Sequence, residues 1–296
     1  MSGAILTIKL GALGDMIQAL DAFHDIRAHH RGAHSVLLTT PPFAALAARM
    51  PWFDEVWTDG RPKASEIGAL IGLIARLRGA RFARVYDLQC NHRTDWYRRL
   101  LAGPRRPDWF GAVPGKRHNS DAMRAQIAAA GVAEARPTDL SWLDADIAAL
   151  ALPKRFAMLV PGCSPHRPDK RWPAESYAAL GARLRARGLE TVLVGTAADR
   201  DAIARIKSIL PDARDLSGRT NLFQLAAAAR RAETVIGNDT GPVFLSAAVG
   251  APTLTLMSRS TNPEQSAPRG SRTAWLRRDD LAALPVDDVS AALLTR

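Results

Sequence analysis

Residues 4–16 read AILTIKLGALGDM. Ala4 to Leu10 is an apolar run with β-branched residues, closed by Gly11, which is the pattern of a buried strand. From Met16 to about His29 apolar residues recur at helical spacing. The stretch is therefore a strand, a short glycine loop and a helix. Ser35 to Thr40 reads as a second strand. Helical stretches follow around Phe43 to Met50 and Ser65 to Arg78, and Ala83 to Leu88 reads as another strand. Strands and helices in alternation build βαβ units on a parallel sheet.

The pattern restarts at Phe156 to Val160, a strand ended by Pro161-Gly162. Ala174 to Arg187 is a helix closed by Gly188. Thr191 to Val194 is a strand and Asp199 to Leu210 a helix. Leu222 to Arg231 (helix), Thr234 to Ile236 (strand), Gly241 to Val249 (helix) and Thr253 to Met257 (strand) complete the second half. A length of 296 residues suits two domains. The expected fold is α/β, with two halves facing across a cleft and a joint near Leu143 to Pro153. Residues 1–150 are the expected N-terminal domain. Residues 151–296 are the expected C-terminal domain, with the last helix a candidate to pack back on the first domain. Ligands of open α/β sheets bind beyond the C-terminal strand ends, so the cleft is the natural site.

The apolar fraction of 47% and charged fraction of 23% are those of an ordinary globular chain. Disorder, collagen-like repeats and a disulfide scaffold are excluded. The two cysteines, Cys90 and Cys163, lack CxxC spacing, which suits a reducing cytoplasm and excludes a cysteine-rich zinc site. The N-terminus has no basic region ahead of its apolar run, so no signal peptide is expected. The net charge of +11 calls for an anionic partner: nucleic acid, an anionic membrane surface or a phosphorylated substrate.

Three loops, each after a strand, hold the candidate chemistry. In Lys9-Leu-Gly-Ala-Leu-Gly14-Asp15 the glycines let backbone approach a ligand, although the dinucleotide pattern GxGxxG is absent. Asp15 is either a helix N-cap or a general base. In residues 161–173, PGCSPHRPDKRWP, the side chains of Ser164, Arg167 and Lys170 suit phosphate; a solvated basic loop is the plain alternative. In residues 237–242, GNDTGP, the amides of Thr240 and Gly241 open a helix, a ready anion site, and Asp239 could accept sugar hydroxyls. A capped tight turn is the alternative there. A base, a cation and a dipolar cradle together suit transfer from a diphosphate-activated donor.

These residues resemble glycosyltransferase family 9, the ADP-heptose:lipopolysaccharide heptosyltransferases. The matching stretches are IKLGALGDMIQAL at 8–20, DLQ at 87–89, PDKRWP at 168–173, VLVGTAADR at 192–200, DLSGRTNL at 215–222, and GNDTGP with LSAAVGAPTLTLM within 237–257. The resemblance implies a GT-B-type inverting enzyme of two Rossmann-like domains, with residues 1–150 binding the acceptor and residues 151–296 the nucleotide sugar. It makes Asp15 the base that deprotonates the acceptor and Lys170 the contact to the donor phosphates. Asp239 would hold heptose hydroxyls, with Thr240 and Gly241 cradling the diphosphate. Asp199 falls near the ribose-contacting acid, Thr220, Asn221 and Leu222 where the adenine is held, and Ser164 is a looser match. The chain departs from the family pattern at Phe244, where a His is usual, at Asp21 for a proline, and at residues 258–263.

Residues 93–117 carry seven basic and two acidic side chains. A solvated basic face is the plain reading. The functional one is a site for an anionic sugar or lipid phosphate, with Gly14, Arg93 and Arg98 as candidate acceptor contacts. Trp96, Tyr97 and Trp109 interleave there, but no nucleic-acid module is visible and none is expected as partner. The DxD strings at Asp144/Asp146 and Asp199/Asp201 are of a kind that chance supplies, and Gly32 interrupts the helix that would align His29, His30 and His34. No metal and no cofactor is expected beyond an ADP-sugar donor. The expected partners are that donor, an anionic glycolipid and, by peripheral contact, the inner face of the cytoplasmic membrane.

Overall fold

A computed structural model describes residues 3–61, 67–104, 106–134 and 138–293. The chain divides into two compact units between Trp142 and Leu143. In the first, strands β1 (Ile5–Ile8), β2 (Ser35–Thr39), β3 (Glu55–Thr58), β4 (Arg84–Asp87) and β5 (Asp108–Phe110) form a parallel sheet in the order β3-β2-β1-β4-β5. Its helices are α1 (Leu13–Gln18), α2 (Leu20–His29), α3 (Ala44–Ala47), α4 (Ile67–Gly79), α5 (His92–Leu100) and α6 (Asn119–Ala129). Ile5 pairs with Ser35 on one side and Arg84 on the other, which places β1 at the centre. All four β1 residues are buried, as a strand covered on both faces requires. Leu6, Ile8, Val36, Leu38, Trp57 and Tyr97 share one core.

The second unit is a six-stranded parallel sheet in the order β11-β10-β9-β6-β7-β8. Its strands are β6 (Phe156–Val160), β7 (Glu190–Leu193), β8 (Arg214–Asp215), β9 (Thr234–Asn238), β10 (Thr253–Met257) and β11 (Thr273–Arg277). Its helices are α7 (Ala174–Ala186), α8 (Arg200–Ile209), α9 (Leu222–Arg231), α10 (Gly241–Ala248), α11 (Pro263–Ser266) and α12 (Val286–Ala291). Both units are Rossmann-like, as the alternation of strand and helix in the sequence implies.

Several boundaries differ from the sequence reading. The division falls ahead of residue 150 because Leu143 is fully buried and its carbonyl accepts from Arg230 Nη1 of α9 at 2.5 Å. Trp142 instead packs edge-on against Trp52 of the first unit, 5.6 Å between centroids. The last helix, α12, packs on α7 of its own unit through fully buried Val289, with Arg187 Nη2 donating to Ser290 Oγ at 3.2 Å. The helix read from Met16 to His29 is two helices, because Ala19 N turns back to Met16 O at 3.2 Å and tightens the chain. The Phe43 to Met50 stretch is a 3-10 turn at Pro41–Phe43 followed by the single turn α3. Of the Ser65 to Arg78 helix, Ser65 and Glu66 lie outside the described residues, as does Arg105 of the basic stretch.

Candidate functional site

The loop from β1 into α1 is held from four sides. Lys9 Nζ donates to Leu88 O at 2.8 Å, and Leu10 N donates to Gln89 Oε1 at 2.9 Å. Thr40 Oγ1 donates to Leu10 O at 3.0 Å, and Ala12 N donates to Asp15 Oδ2 at 3.0 Å. Gly11 has φ +107°, and a Cβ there would stand 2.2 Å from the Phe43 ring, so only glycine fits. Asp15 therefore does not cap α1 from the N-cap position. It is the third residue of the helix, and one carboxylate oxygen is anchored on the Ala12 amide.

Asp15 lines a cavity of about 270 Å³ together with Lys9, Gln18, Gln89, Cys90 and Gln126. Burial pushes the Lys9 ammonium below the ordinary lysine range, against the attraction of Asp15, Cys90 and Asp87. Asp87 Oδ1 accepts from the amides of Gln89 and Cys90 at 3.1 and 2.9 Å, which folds the DLQ stretch into the turn that meets Lys9 and Leu10. On the other side of the β1 loop a cavity of about 470 Å³ is lined by Gly11, Ala12, Thr40, Phe43, Asp59 and Arg61.

Of the candidate acceptor contacts, Gly14 lies in α1 beside Asp15. Arg93, on α5, is bound bidentately to fully buried Asp59, whose Oδ2 also accepts from Tyr97 Oη at 2.5 Å. Burial would raise the Asp59 carboxyl, but the bonds from Arg93 and Tyr97 outweigh it and hold it below the usual range. Arg98 is an exposed member of the same helix, 3.8 Å from Asp95. Trp96 and Trp109 pack against the core and Tyr97 is buried, so these aromatics build the first unit. His30 bonds Tyr86 Oη at 2.7 Å and His34 bonds Glu55 at 2.9 Å.

In the second unit Lys170 and Asp239 meet. Lys170 Nζ lies 2.5 Å from Asp239 Oδ2, which also accepts from Thr261 Oγ1 at 2.7 Å. The 3-10 turn Pro168–Lys170 delivers the lysine and the end of β9 delivers the aspartate. Fully buried Asn238 locks the two loops: its Oδ1 accepts from Trp172 N at 3.1 Å and Tyr177 Oη at 3.0 Å, and its Nδ2 donates to Pro161 O at 2.7 Å. Asn238→Ala strands these buried groups, so urea unfolding should show a loss of about 3 kcal/mol. Thr240 is extended (φ −149°, ψ 156°) at the N-cap of α10, and its side chain does not close the helix end. Pro242 follows Gly241, so the amides of Thr240 and Gly241 stand at that positive terminus.

Asp199 is buried, and its Oδ2 accepts from Thr196 N and Thr196 Oγ1, both at 2.9 Å. Its Oδ1 has no hydrogen-bond partner among the described residues, with Arg171 4.0 Å away. A Cβ at Gly162 would strike this carboxylate at 2.4 Å, so glycine there leaves the acid its room. Asn221 caps α9, accepting from Phe223 N and Gln224 N at 3.0 and 2.9 Å, while Thr220 and Leu222 flank it half-exposed. Ser164 is exposed in the turn after β6, closed by Arg167 N to Ser164 O at 2.9 Å. Lys9, Asn238 and Thr261 carry structure around these groups without having stood out in sequence. Lys9 reads as one more residue of an apolar strand, and Thr261 lies 22 residues from its partner.

The chain thus holds two Rossmann-like units, with an anchored carboxylate after the first strand of one and a lysine beside an open helix N-terminus in the other. The sequence pattern of glycosyltransferase family 9 (heptosyltransferase) matches residues 120–287. The chain belongs to that family, and glycosyl transfer is the activity that goes with it. It is 24% identical to the lipopolysaccharide heptosyltransferase 2 of Escherichia coli K12, over 92% of this chain and 87% of the relative. It is 30% identical over 115 residues to the lipooligosaccharide heptosyltransferase 2 of Haemophilus influenzae, a match spanning 37% of this chain and 33% of that protein. A family 9 structure from Veillonella parvula superposes with TM-score 0.83 at 19% identity, covering 99% of this chain and 97% of that one. The E. coli ADP-heptose lipopolysaccharide heptosyltransferase II does so with TM-score 0.77 at 21% identity, covering 97% and 96%.

Proposed function

We propose that this chain is an inverting transferase that moves a heptose from ADP-heptose to an anionic lipopolysaccharide-core acceptor. The observation that carries this reading is the Lys170–Asp239 pair beside the open end of α10. An ammonium has three N–H donors. One is given to Asp239, which leaves two for phosphate oxygens. As the sugar–phosphate bond breaks, Lys170 and the amides of Thr240 and Gly241 would take up the charge gathering on the leaving ADP. Asp239 would hold sugar hydroxyls, Asp199 a ribose hydroxyl and the Thr220–Leu222 turn the adenine, with Ser164 reaching the phosphates. No metal or further cofactor enters this scheme.

In the first unit Asp15 would take the proton of the attacking acceptor hydroxyl, which adds to the anomeric carbon opposite the leaving group. Its anchor on the Ala12 amide fixes one oxygen and leaves the other for the acceptor. Gly14 lets the acceptor approach. Arg98 suits its anionic groups; Arg93 would act through the loop that Asp59 holds. The enzyme would work in the cytoplasm against the inner leaflet. No helix of the described residues is long and apolar enough to cross a membrane.

A different donor in the same family is the second reading. Phe244, only 7% exposed, occupies the place of a usual histidine and removes a polar contact beside Thr240. Thermal unfolding with ADP, UDP and GDP separates the two. A ligand at 100 times its dissociation constant adds about 2.7 kcal/mol of stability. ADP should raise the melting temperature and UDP and GDP should not; a shift with UDP or GDP alone would favour the second reading.

A further inference from the structure

Helix α4 departs from the rule for surface helices. Such a helix buries one apolar stripe and turns polar residues to water. From Gly68 to Ala75 the sequence is GALIGLIA, without one polar side chain. Only one side of α4 meets the core, through Leu73 and buried Leu77. Gly68, Ala69, Ile71, Gly72 and Ala75 are exposed, and Ile71, at 58%, is the most exposed large apolar side chain among the described residues. A Cβ on Gly68, Gly72 or Gly79 would meet nothing within 4 Å, so the face is open along its length. An apolar face of this kind marks an interaction site.

Its surroundings are basic. At the end of α4 a cavity of about 480 Å³ has Leu77, Phe82, Leu100 and Leu101 among its walls and Arg78 and Arg81 on its lining. Arg78 Nε donates to Leu100 O at 3.1 Å, which ties the ends of α4 and α5 together. Arg99 and Arg106 are exposed chain neighbours of lining residues. The nearby acids are Glu55, paired with Arg76, then Asp95, beside Arg98, and exposed Asp108. Arginines outnumber them, and the side chains of Arg81, Arg99 and Arg106 have no acidic partner among the described residues. An apolar helix face bordered by cations is the pattern of a segment that lies in the headgroup layer of an anionic bilayer.

We infer that the exposed face of α4, with Arg78, Arg81 and Arg99, seats the first unit on an anionic phospholipid leaflet. This deepens the reading of a glycolipid acceptor, but vesicle binding requires neither donor nor acceptor. The test is co-sedimentation of the full chain with phosphatidylcholine vesicles, with and without phosphatidylglycerol. Binding should need phosphatidylglycerol and weaken with salt. Ile71→Asp should weaken it at least tenfold, with unchanged melting temperature and unchanged response to ADP. Arg81→Glu and Arg99→Glu, on different elements, should each cost about fivefold or more. Absence of wild-type binding, or Ile71→Asp binding like the wild type, overturns the inference. So does a dimer in solution that Ile71→Asp dissociates without any vesicle binding; that outcome assigns the face to a second copy. Loss of the ADP response in the wild type would instead count against the donor reading and leave the vesicle result standing.

Discussion

Asp15→Asn is expected to lower the transfer rate by about a thousandfold, within the range a general base supplies. Asp15 lies in the first turn of α1, with Oδ2 anchored on Ala12 N, and an amide oxygen can accept that same bond. Asparagine therefore keeps the loop, the helix start and the cavity, and removes only the ability to take a proton. The loss should fall on kcat, with little change in melting temperature or in ADP affinity, because the groups proposed to hold the donor belong to the second unit. Asp15→Ala removes the anchor as well and should add a stability cost of about 1 kcal/mol. Equal rates for Asp15→Asn and the wild type would show that another group takes the proton.

The second large effect is expected at Lys170. Lys170→Ala should lower transfer by about 10²–10³-fold, the usual cost of removing one stabiliser of developing charge. It should also cost stability, because Asp239 is 9% exposed and would keep, among the described residues, only the Thr261 hydroxyl as a side-chain partner. A fully buried pair broken from one side costs about 3–5 kcal/mol. Lys170 keeps 17% of its side chain exposed, so a value below that range is expected. In Lys170→Ala paired with Asp239→Asn stability should return and the rate should not, since Asp239 is itself proposed to hold the donor sugar. Recovery of the rate along with stability would reduce Lys170 to a counter-charge for Asp239.

The central strands were legible because both faces are covered. ILTI, FAMLV and TLTLM are unbroken apolar or β-branched runs, and each is wholly buried. The edge strands β3 (EVWT) and β5 (DWF) were not, since each is half open to solvent and carries an acid. Helix α5, HRTDWYRRL, buries only Thr94 and Tyr97 and shows no apolar stripe to read. Among candidate site residues, Asp15, Lys170 and Asp239 stood out because glycine, proline and charge gather at strand ends. Their supports did not. Asn238 acts through Tyr177 and Trp172, 61 and 66 residues away. Nothing in local pattern marks such partners. Arg93 shows the converse: a basic run suggested a free cation, and a buried aspartate 34 residues earlier already holds it.

The most direct test of the account is a transfer assay with ADP-heptose and a deacylated lipopolysaccharide core that lacks heptose, read by release of ADP and by NMR of the product's anomeric centre. The account predicts ADP release matched by one heptose added, with the anomeric configuration inverted relative to the donor and with activity lost in Asp15→Asn. Turnover of a UDP- or GDP-sugar without turnover of ADP-heptose, or a product of retained configuration, would contradict it.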